Sequence, residues 1–346
     1  MRGDVMQSVI IGQNQAGQRL DKFLHKYLPQ AGTSFLYRML RKKNIALNGK
    51  KAEGSVLLSQ GDQVCFFFSP ETFTKFTGQS GDVRQMDRML SEYRTAYHEL
   101  KNINVVYEDE HILILDKPAE ILTQKAATDD LSLNEWMIGY LVSKNPGFEK
   151  ELSDFHPSVC NRLDRNTSGL VLCGKTMAGL QYLSRCIKNR SIKKFYRTIC
   201  LGQMQEEALV KGYLLKDPKK NKVRVEAEES SATEGAYIET AYKPIRSGEG
   251  FTLLEVELIT GKSHQIRAHL AGIGHPLIGD FKYGDRRINH TIKDRYGLQY
   301  QLLHAFQVIF PESSEPAGRA VSGKRFTADC PELFKKLQSE LGLLIG

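Results

Sequence analysis

The stretch NRLDRNTSGLVLCGKT, residues 161–176, sets one acid, Asp164, between Arg162 and Arg165, and turns apolar after Gly169. Asp, Asn, Thr, Ser and Gly are turn formers, because their short side chains bond the local backbone or free it to turn, so this acid belongs to a loop. Two opposite charges at ~4 Å attract by roughly 4 kcal/mol at an effective dielectric near 20, which favours the ionised form of an acid so placed. A carboxylate held this way can act as a nucleophile or stabilise positive charge. An acid beside arginines in a turn is also, commonly, only a surface ion pair, so the surroundings have to decide.

Moving outward, Thr176 can cap a helix carrying Leu180, Leu183 and Ile187. Upstream, NVVYEDEHILILDKP (104–118) reads as a hairpin turned at Glu108 to Glu110 and closed by Pro118, and Leu133, Trp136, Met137, Tyr140 and Leu141 mark a helix. Downstream, Phe195 to Leu201 and Phe251 to Ile259 are strand-like, with Leu254, Val256 and Leu258 on one face of the second. Strands and helices alternate here without a regular βαβ rhythm. The expected fold class is therefore α+β, a mixed, mainly antiparallel sheet over residues 102–346.

The N-terminal part has a different character. Residues 18–68 hold nine Lys/Arg against three acids, a net of +6 out of +8 for the 346-residue chain. In RLDKFLHKYL (19–28), Leu20, Phe23, Leu24, Tyr27 and Leu28 form the apolar stripe of a core-facing helix that Pro29 ends. Ser34 can cap a second helix with Leu36, Met39 and Leu40 inward and Arg38, Arg41 and Lys42 on another side, where they could follow a phosphate backbone. Asn48-Gly49 signals a type I′ hairpin, and Gly61-Asp62 turns into a strand, Gln63 to Phe68. A small basic domain thus covers residues 1–68. Residues 69–82 read as a polar linker within a 69–101 connection, followed by an amphipathic helix over about 82–100 with its stripe on Val83, Met86, Leu90, Tyr93, Tyr97 and Leu100. That helix is expected to dock on the protein's own body.

A basic module beside a near-neutral body suggests a polyanion that one part grips and the other acts on. The longest apolar runs fall far short of the ~20 residues of a membrane span. Six cysteines (65, 160, 173, 186, 200, 330) include no CxxC pair, which fits reduced thiols better than disulfides or a zinc site. No membrane association and a cytoplasmic location are the expectations.

Several blocks resemble one family. NRLDRNTSGLVLCGKT is similar to the signature HRLDRxTSGLLLxAKT of the RluA family of RNA pseudouridine synthases. VVYEDEHILILDKPA (105–119), KKFYRTICLG (193–202) and GKSHQIRAHLAGIGHPLIGDFKYG (261–284) look like further motifs of that family, and LLHAFQVIFP (302–311) and FTADCPELFKKL (326–337) like its closing segment. RLDKFL, the basic second helix, IALNGKKA and LLSQGDQV resemble an S-four-like RNA-binding domain. The resemblance implies isomerisation of a uridine within RNA to pseudouridine without cofactor or metal. It also implies RNA as partner, with ribosomal RNA of the large subunit favoured over transfer RNA, and the chain is expected to be a monomer. At the matching positions, Asp164 would be the essential carboxylate, acting on the ribose or on the uracil. Tyr196 would stack on the uracil and assist removal of the C5 proton, Arg267 would pair with Asp164, and Arg162 would fill the space left by the extruded nucleotide. Arg19, Arg38, Arg41 and Lys42 of the basic module would meet RNA.

The extrusion makes physical sense: a glycosidic carbon and C5 are not both reachable inside a helix, and unstacking one base costs a few kcal/mol. Two departures stand out. Asn161 occupies the place of the signature's His, and EILTQK (120–125) replaces the family's GLxVHP; both put the pocket rim in doubt, more than the carboxylate. KDPKKNKVRVE (216–226) reads as a basic hairpin that touches phosphates or as a solvated turn. A metal centre on His264, His269 and His275 is disfavoured, because residues five apart on a helix lie roughly 140° round it. The rival class is a non-catalytic RNA-binding assembly factor that keeps the fold.

Overall fold

A computed structural model of the protein describes residues 7–12, 14–77, 82–152, 155–217, 222–226 and 235–344. Its elements begin with β1 (Gln7–Ile10), α1 (Leu20–Tyr27), α2 (Thr33–Arg41), β2 (Ile45–Leu47), β3 (Gln63–Phe66), α3 (Pro70–Thr77) and α4 (Asp82–Glu99). There follow β4 (Asn104–Glu108), β5 (Ile112–Lys117), α5 (Leu133–Lys144), α6 (Phe148–Glu151), β6 (Ser158–Val159), β7 (Ser168–Gly174), α7 (Met177–Lys188) and β8 (Lys193–Leu201). The remainder is β9 (Ala208–Asp217), β10 (Lys222–Glu226), β11 (Ala236–Gly248), β12 (Phe251–Leu258), α8 (Gln265–Gly272), α9 (Arg286–Tyr296), β13 (Leu303–Ile309), α10 (Pro316–Arg319), β14 (Arg325–Thr327) and α11 (Glu332–Glu340). The chain divides into two compact units, one of residues 1–99, 135–158 and 174–181, the other of 100–134, 159–173 and 182–346.

In the first unit a three-stranded sheet, β1-β3-β2, is antiparallel throughout. The stripe of α1 buries Leu20, Phe23, Leu24 and Leu28, and α2 adds Leu36, Met39 and Leu40 to the same core. Tyr27 stacks on Phe23 at 5.4 Å and on Phe66 at 5.3 Å, which ties helix to sheet. Asn48 and Gly49 both take left-handed backbone (φ 50° and 72°), as a type I′ turn requires, and Asn48 Oδ1 accepts from the Gln63 amide at 2.8 Å. Ser34 does not cap α2. The cap falls two residues earlier, on Gly32, which has the extended cap conformation and makes no side-chain bond to the first turn.

Residues 70–77, polar by composition, form α3 rather than an open linker, because Phe73 and Phe76, one turn apart, both reach the core: Phe73 is buried against Phe66 and Phe76 packs on Phe35 at 4.4 Å. Residues 78–81 lie outside the described ones. On α4, Leu90, Tyr93 and Ala96 are buried, and Tyr97 meets Trp136 at 5.5 Å and Tyr140 at 6.3 Å on α5. Gly139 permits this approach: a Cβ there would stand 2.2 Å from the Tyr93 carbonyl oxygen. The apolar stripe of α4 thus docks within its own unit.

The second unit holds an eleven-stranded sheet whose main path is β10-β9-β11-β12-β8-β13-β7-β5-β4. Its β10-β9, β9-β11, β11-β12, β12-β8, β8-β13 and β5-β4 pairs are antiparallel, whereas β13 and β7 run parallel, so the α+β expectation of a mixed, mainly antiparallel sheet is met. The predicted hairpin at 108–110 is β4-β5. The 216–226 stretch closes as β9-β10, with its tip, 218–221, outside the described residues. Where β7 begins, Gly169 (φ 112°) lies so close to β13 that a Cβ would stand 2.2 Å from the Ala305 carbonyl oxygen. This contact fixes the end of the Asp164 loop against the centre of the sheet. Among the described residues no helix is long and apolar enough to cross a membrane.

Candidate active site

The loop that carries Asp164 is held from three sides. The Thr167 amide donates to the Asp164 carbonyl at 3.0 Å and closes the turn. Thr123 brackets Leu163: its hydroxyl donates to the Leu163 carbonyl at 2.8 Å and accepts from the Leu163 amide at 3.1 Å. Lys117, fully buried at the end of β5, donates through Nζ to the carbonyls of Pro118 (2.8 Å), Ile121 (2.8 Å) and Arg165 (3.0 Å). Burial pushes Lys117 down to about 7, while Asp164 and Asp116 pull it upward. Three acceptors around one nitrogen match the three N–H bonds of an ammonium, so the bound geometry is that of the charged form.

At the loop's other end, Ser168 contacts His304 Nδ1 at 2.9 Å, and His304 Nε2 lies 3.2 Å from the Ala328 carbonyl. Burial depresses His304 to about 4, so its single ring proton goes to that carbonyl and Nδ1 accepts from the serine. Asp116, beside Lys117, is pushed up to about 6 by burial and by the charge of Asp329, against Lys117. Its folded value lies above the ordinary 3.8, so the folded chain binds more protons between the two values and stability falls as pH rises from about 4 to 6. Asp116→Asn is expected to flatten that slope and to raise stability at pH 7 by about 1–2 kcal/mol, read from urea unfolding at pH 4.5 and pH 7.

Arg267, on α8, is 7% exposed and joins two acids. Its Nη1 donates to Asp164 Oδ2 at 2.9 Å, while Nε and Nη2 donate to the two oxygens of Asp280 at 2.7 and 2.9 Å. Burial works against this guanidinium, but Asp280 and Asp164 outweigh it and its pKa is raised. Asp280, 1% exposed, also accepts from the amides of Lys282 and Tyr283. Asp164 itself keeps a quarter of its side chain, 26%, open to the outside. The buried pair therefore fixes a carboxylate whose free oxygen faces a cleft.

That cleft, about 350 Å³ including its open mouth, is lined by Asp164, Arg162, Tyr196, Lys262, His264 and Arg267 among others. Tyr196 sits on β8 opposite Val256 of β12, 5% exposed, and burial followed by the charge of Asp164 raises its pKa, so the ring presents a neutral phenol. Arg162 is exposed on the same wall. His264, just before α8, has left-handed backbone (φ 57°), a conformation that costs a non-glycine residue about 1 kcal/mol or more. Its Nε2 is 3.9 Å from Asp164 Oδ2, and Nδ1 is 2.9 Å from the Tyr283 hydroxyl.

The structure thus brings Asp164, Tyr196, Arg267 and Arg162 to one cleft. Arg19, Arg38, Arg41 and Lys42 belong to the first unit. Of these, Arg19 is tied to Asp21, which also accepts from the Tyr37 hydroxyl, whereas Arg38, Arg41 and Lys42 are exposed. The three histidines go separate ways: His264 to Tyr283, His269 Nδ1 to Thr240 and His275 Nδ1 to the Leu201 carbonyl. Both sequence departures serve the scaffold. Asn161 bonds the backbone of β7, receiving the Leu172 amide at 2.7 Å, and 120–125 supplies Thr123, the Ile121 carbonyl and the Glu120 carbonyl that accepts from Arg165.

Residues 111–272 match the family model described as RNA pseudouridylate synthase. The ribosomal large subunit pseudouridine synthase C of Vibrio parahaemolyticus is 31% identical over 310 residues, 89% of this chain and 90% of that protein. An RNA pseudouridine synthase of Mycoplasma genitalium is 26% identical over 88% of both chains. Among solved structures, human RNA pseudouridylate synthase domain containing 4 aligns with a TM-score of 0.53 over 74% of this chain and 97% of its own, at 18% identity, a likeness of fold alone.

Proposed function

The chain belongs to the RNA pseudouridine synthase family, of the RluA type, and we propose that it isomerises a uridine of large-subunit ribosomal RNA with Asp164 as the essential carboxylate. One observation carries this: a single carboxylate among the residues lining a cleft, held by a buried guanidinium at 2.9 Å and sharing that cleft with a buried phenol. The N1–C1′ bond of the target uridine breaks, the uracil turns, C5 joins C1′ and gives up its proton, and N1 gains one. Asp164 acts on ribose or ring, Arg267 orients it, and Arg162 enters the space that the extruded nucleotide leaves. Tyr196, kept neutral, packs flat against the base, which it can hold while the base turns. Ribosomal RNA is favoured because the Vibrio relative, named for the large subunit, matches along 90% of its own length. The enzyme is taken to act as a monomer in the cytoplasm.

The exposed basic face of α2 is proposed to grip the RNA backbone. Replacing Arg38, Arg41 and Lys42 together by alanine removes three cations, and the slope of log affinity against log salt is expected to fall by about 2–3, with the single-turnover rate at saturating protein unchanged. Filter binding across a salt series reads this; an unaltered slope removes α2 from the interface. The substrate is tested by carbodiimide mapping of pseudouridine in total RNA from a deletion strain and its parent. One or more large-subunit sites should vanish. Loss confined to transfer RNA would replace the substrate, and no loss on any RNA would favour a binding protein that keeps the fold.

A further inference from the structure

We propose that His264 is a catalytic residue whose Nε2–H donates a hydrogen bond to a carbonyl oxygen of the uracil in the cleft, stabilising the negative charge that the ring takes on during isomerisation. This rests on the uridine-binding reading of the cleft. Three observations converge on it.

The first is the tautomer. The Val223 amide, on β10, donates to the Tyr283 hydroxyl oxygen at 3.1 Å, and that hydroxyl lies 2.9 Å from His264 Nδ1. An amide can only donate, so the tyrosine accepts there and has its own O–H left to give to the imidazole. The Lys282 ammonium, another group that only donates, approaches the same Nδ1 to 3.5 Å. Two groups with a proton to give thus meet at Nδ1, which assigns it the acceptor role, and a neutral ring then carries its proton on Nε2. Burial, together with Arg267 and Lys282, holds the ring toward that neutral form against the pull of Asp164.

The second is aim. Nε2 stands 3.9 Å from Asp164 Oδ2, too far for a hydrogen bond to it, with the side chain 19% exposed on the cleft wall. Nε2 and the carboxylate thus line the same cleft, where the pyrimidine is to lie. The third is strain. The left-handed backbone of His264 is uncommon for a residue with a Cβ, and surrounding bonds keep it there: Gln265 accepts from the Lys262 amide and the Thr260 hydroxyl and donates to the Glu239 carbonyl and Thr240.

The chemistry gives this donor a use on either route. If Asp164 attacks C1′, the N1–C1′ electron pair stays on the departing uracil. If it attacks C6, the C5=C6 pair moves into the ring. In both cases the charge spreads onto a carbonyl oxygen; it is discharged as C5 bonds to C1′ and the bond to Asp164 breaks, after which C5 gives up its proton and N1 gains one, with no net oxidation. A fixed N–H aimed at such an oxygen is stronger in the transition state than in the ground state. Val223 lies on the β9-β10 hairpin, so RNA seated against that hairpin would steady the same chain of bonds.

The full-length protein and a ribosomal RNA fragment that the wild type modifies provide the test. His264→Ala is expected to slow single turnover about 10²-fold, the size of losing one donor at a developing oxyanion, with the loss in kcat and not in KM. His264→Gln, whose side-chain amide offers an N–H near the position of Nε2, should recover to within about tenfold of wild type. Tyr283→Phe should slow turnover about fivefold by releasing the tautomer, at unchanged RNA affinity. In protein labelled with 15N-histidine, His264 Nδ1 should resonate as an unprotonated ring nitrogen. A wild-type rate in His264→Ala, or a protonated Nδ1, overturns the proposal. Should the alanine variant not fold, the glutamine and phenylalanine rates and the spectrum decide. A wild type without product on any RNA overturns the reading of the cleft instead, and the two failures are distinct.

Discussion

Asp164→Asn is expected to lose isomerisation by at least about 10³-fold, ~4 kcal/mol of barrier, while RNA affinity changes by less than about twofold. Asparagine keeps the size of the side chain and an oxygen that can accept from Arg267 Nη1 in place of the present 2.9 Å bond. Arg267 remains bound through Nε and Nη2 to both oxygens of Asp280, so the guanidinium is not stranded. Only the charge of the reacting oxygen pair is lost, which makes the variant a test of chemistry and not of folding. Single-turnover pseudouridine formation beside filter binding reads the two effects separately. An unaltered rate would remove Asp164 from the mechanism, and a collapse of affinity would assign it to binding.

Asp280→Ala is expected to act in the opposite way, through stability first. It takes away the acceptor of two charge-assisted bonds from a guanidinium 7% exposed, and breaking a buried pair by removing one partner costs about 3–5 kcal/mol. The amides of Lys282 and Tyr283 lose their acceptor as well, which loosens the turn carrying Tyr283. A fall of roughly 10 °C in the calorimetric midpoint is the expected result, with activity lost at temperatures where the variant still folds because Arg267 no longer holds Asp164 in one place. A midpoint within about 2 °C of the wild type would show that the guanidinium is solvated without Asp280. The contrast with Asp164→Asn follows from burial: one acid is 1% exposed in its side chain and the other 26%.

Asp164, Tyr196 and Arg267 were legible because each sits in a block with a distinctive local pattern, and those blocks occur in order. Asp280 lies inside one of the quoted blocks, GHPLIGDFKYG, yet nothing local marks it. An aspartate after glycine reads as a turn former, and only the packing of α8 on the loop that follows brings it against a residue thirteen positions earlier. Lys117 was hidden likewise: DKP reads as a strand end, while the carbonyls that receive its ammonium come from residues 118, 121 and 165. Thr123 stands within one of the two departures from the family pattern, and its value lies in bracketing Leu163, forty residues away. His264 was visible as a histidine but not as a donor, because its tautomer is set by Tyr283 and Val223. For α3 the signal was present: Phe73 and Phe76, three apart, in a stretch whose average polarity concealed them.

What the amino-acid sequence settles by itself is whatever depends on near neighbours along the chain. The stripe of α1 at spacings of three and four, the left-handed Asn48-Gly49 turn, the hairpin at 108–110 and the polar loop before β7 all follow from local sterics and from the periods of helix and strand. What only the tertiary structure decides is which charge meets which. Asp164, Tyr196 and Arg267 come from a loop, a strand and a helix spread over about a hundred positions, and their mutual distances are set by strand order, by the parallel β13-β7 pair and by the close approach at Gly169. Electrostatic attraction depends on separation in space and on the water excluded from around it. Neither quantity is written in the spacing of residues along a chain.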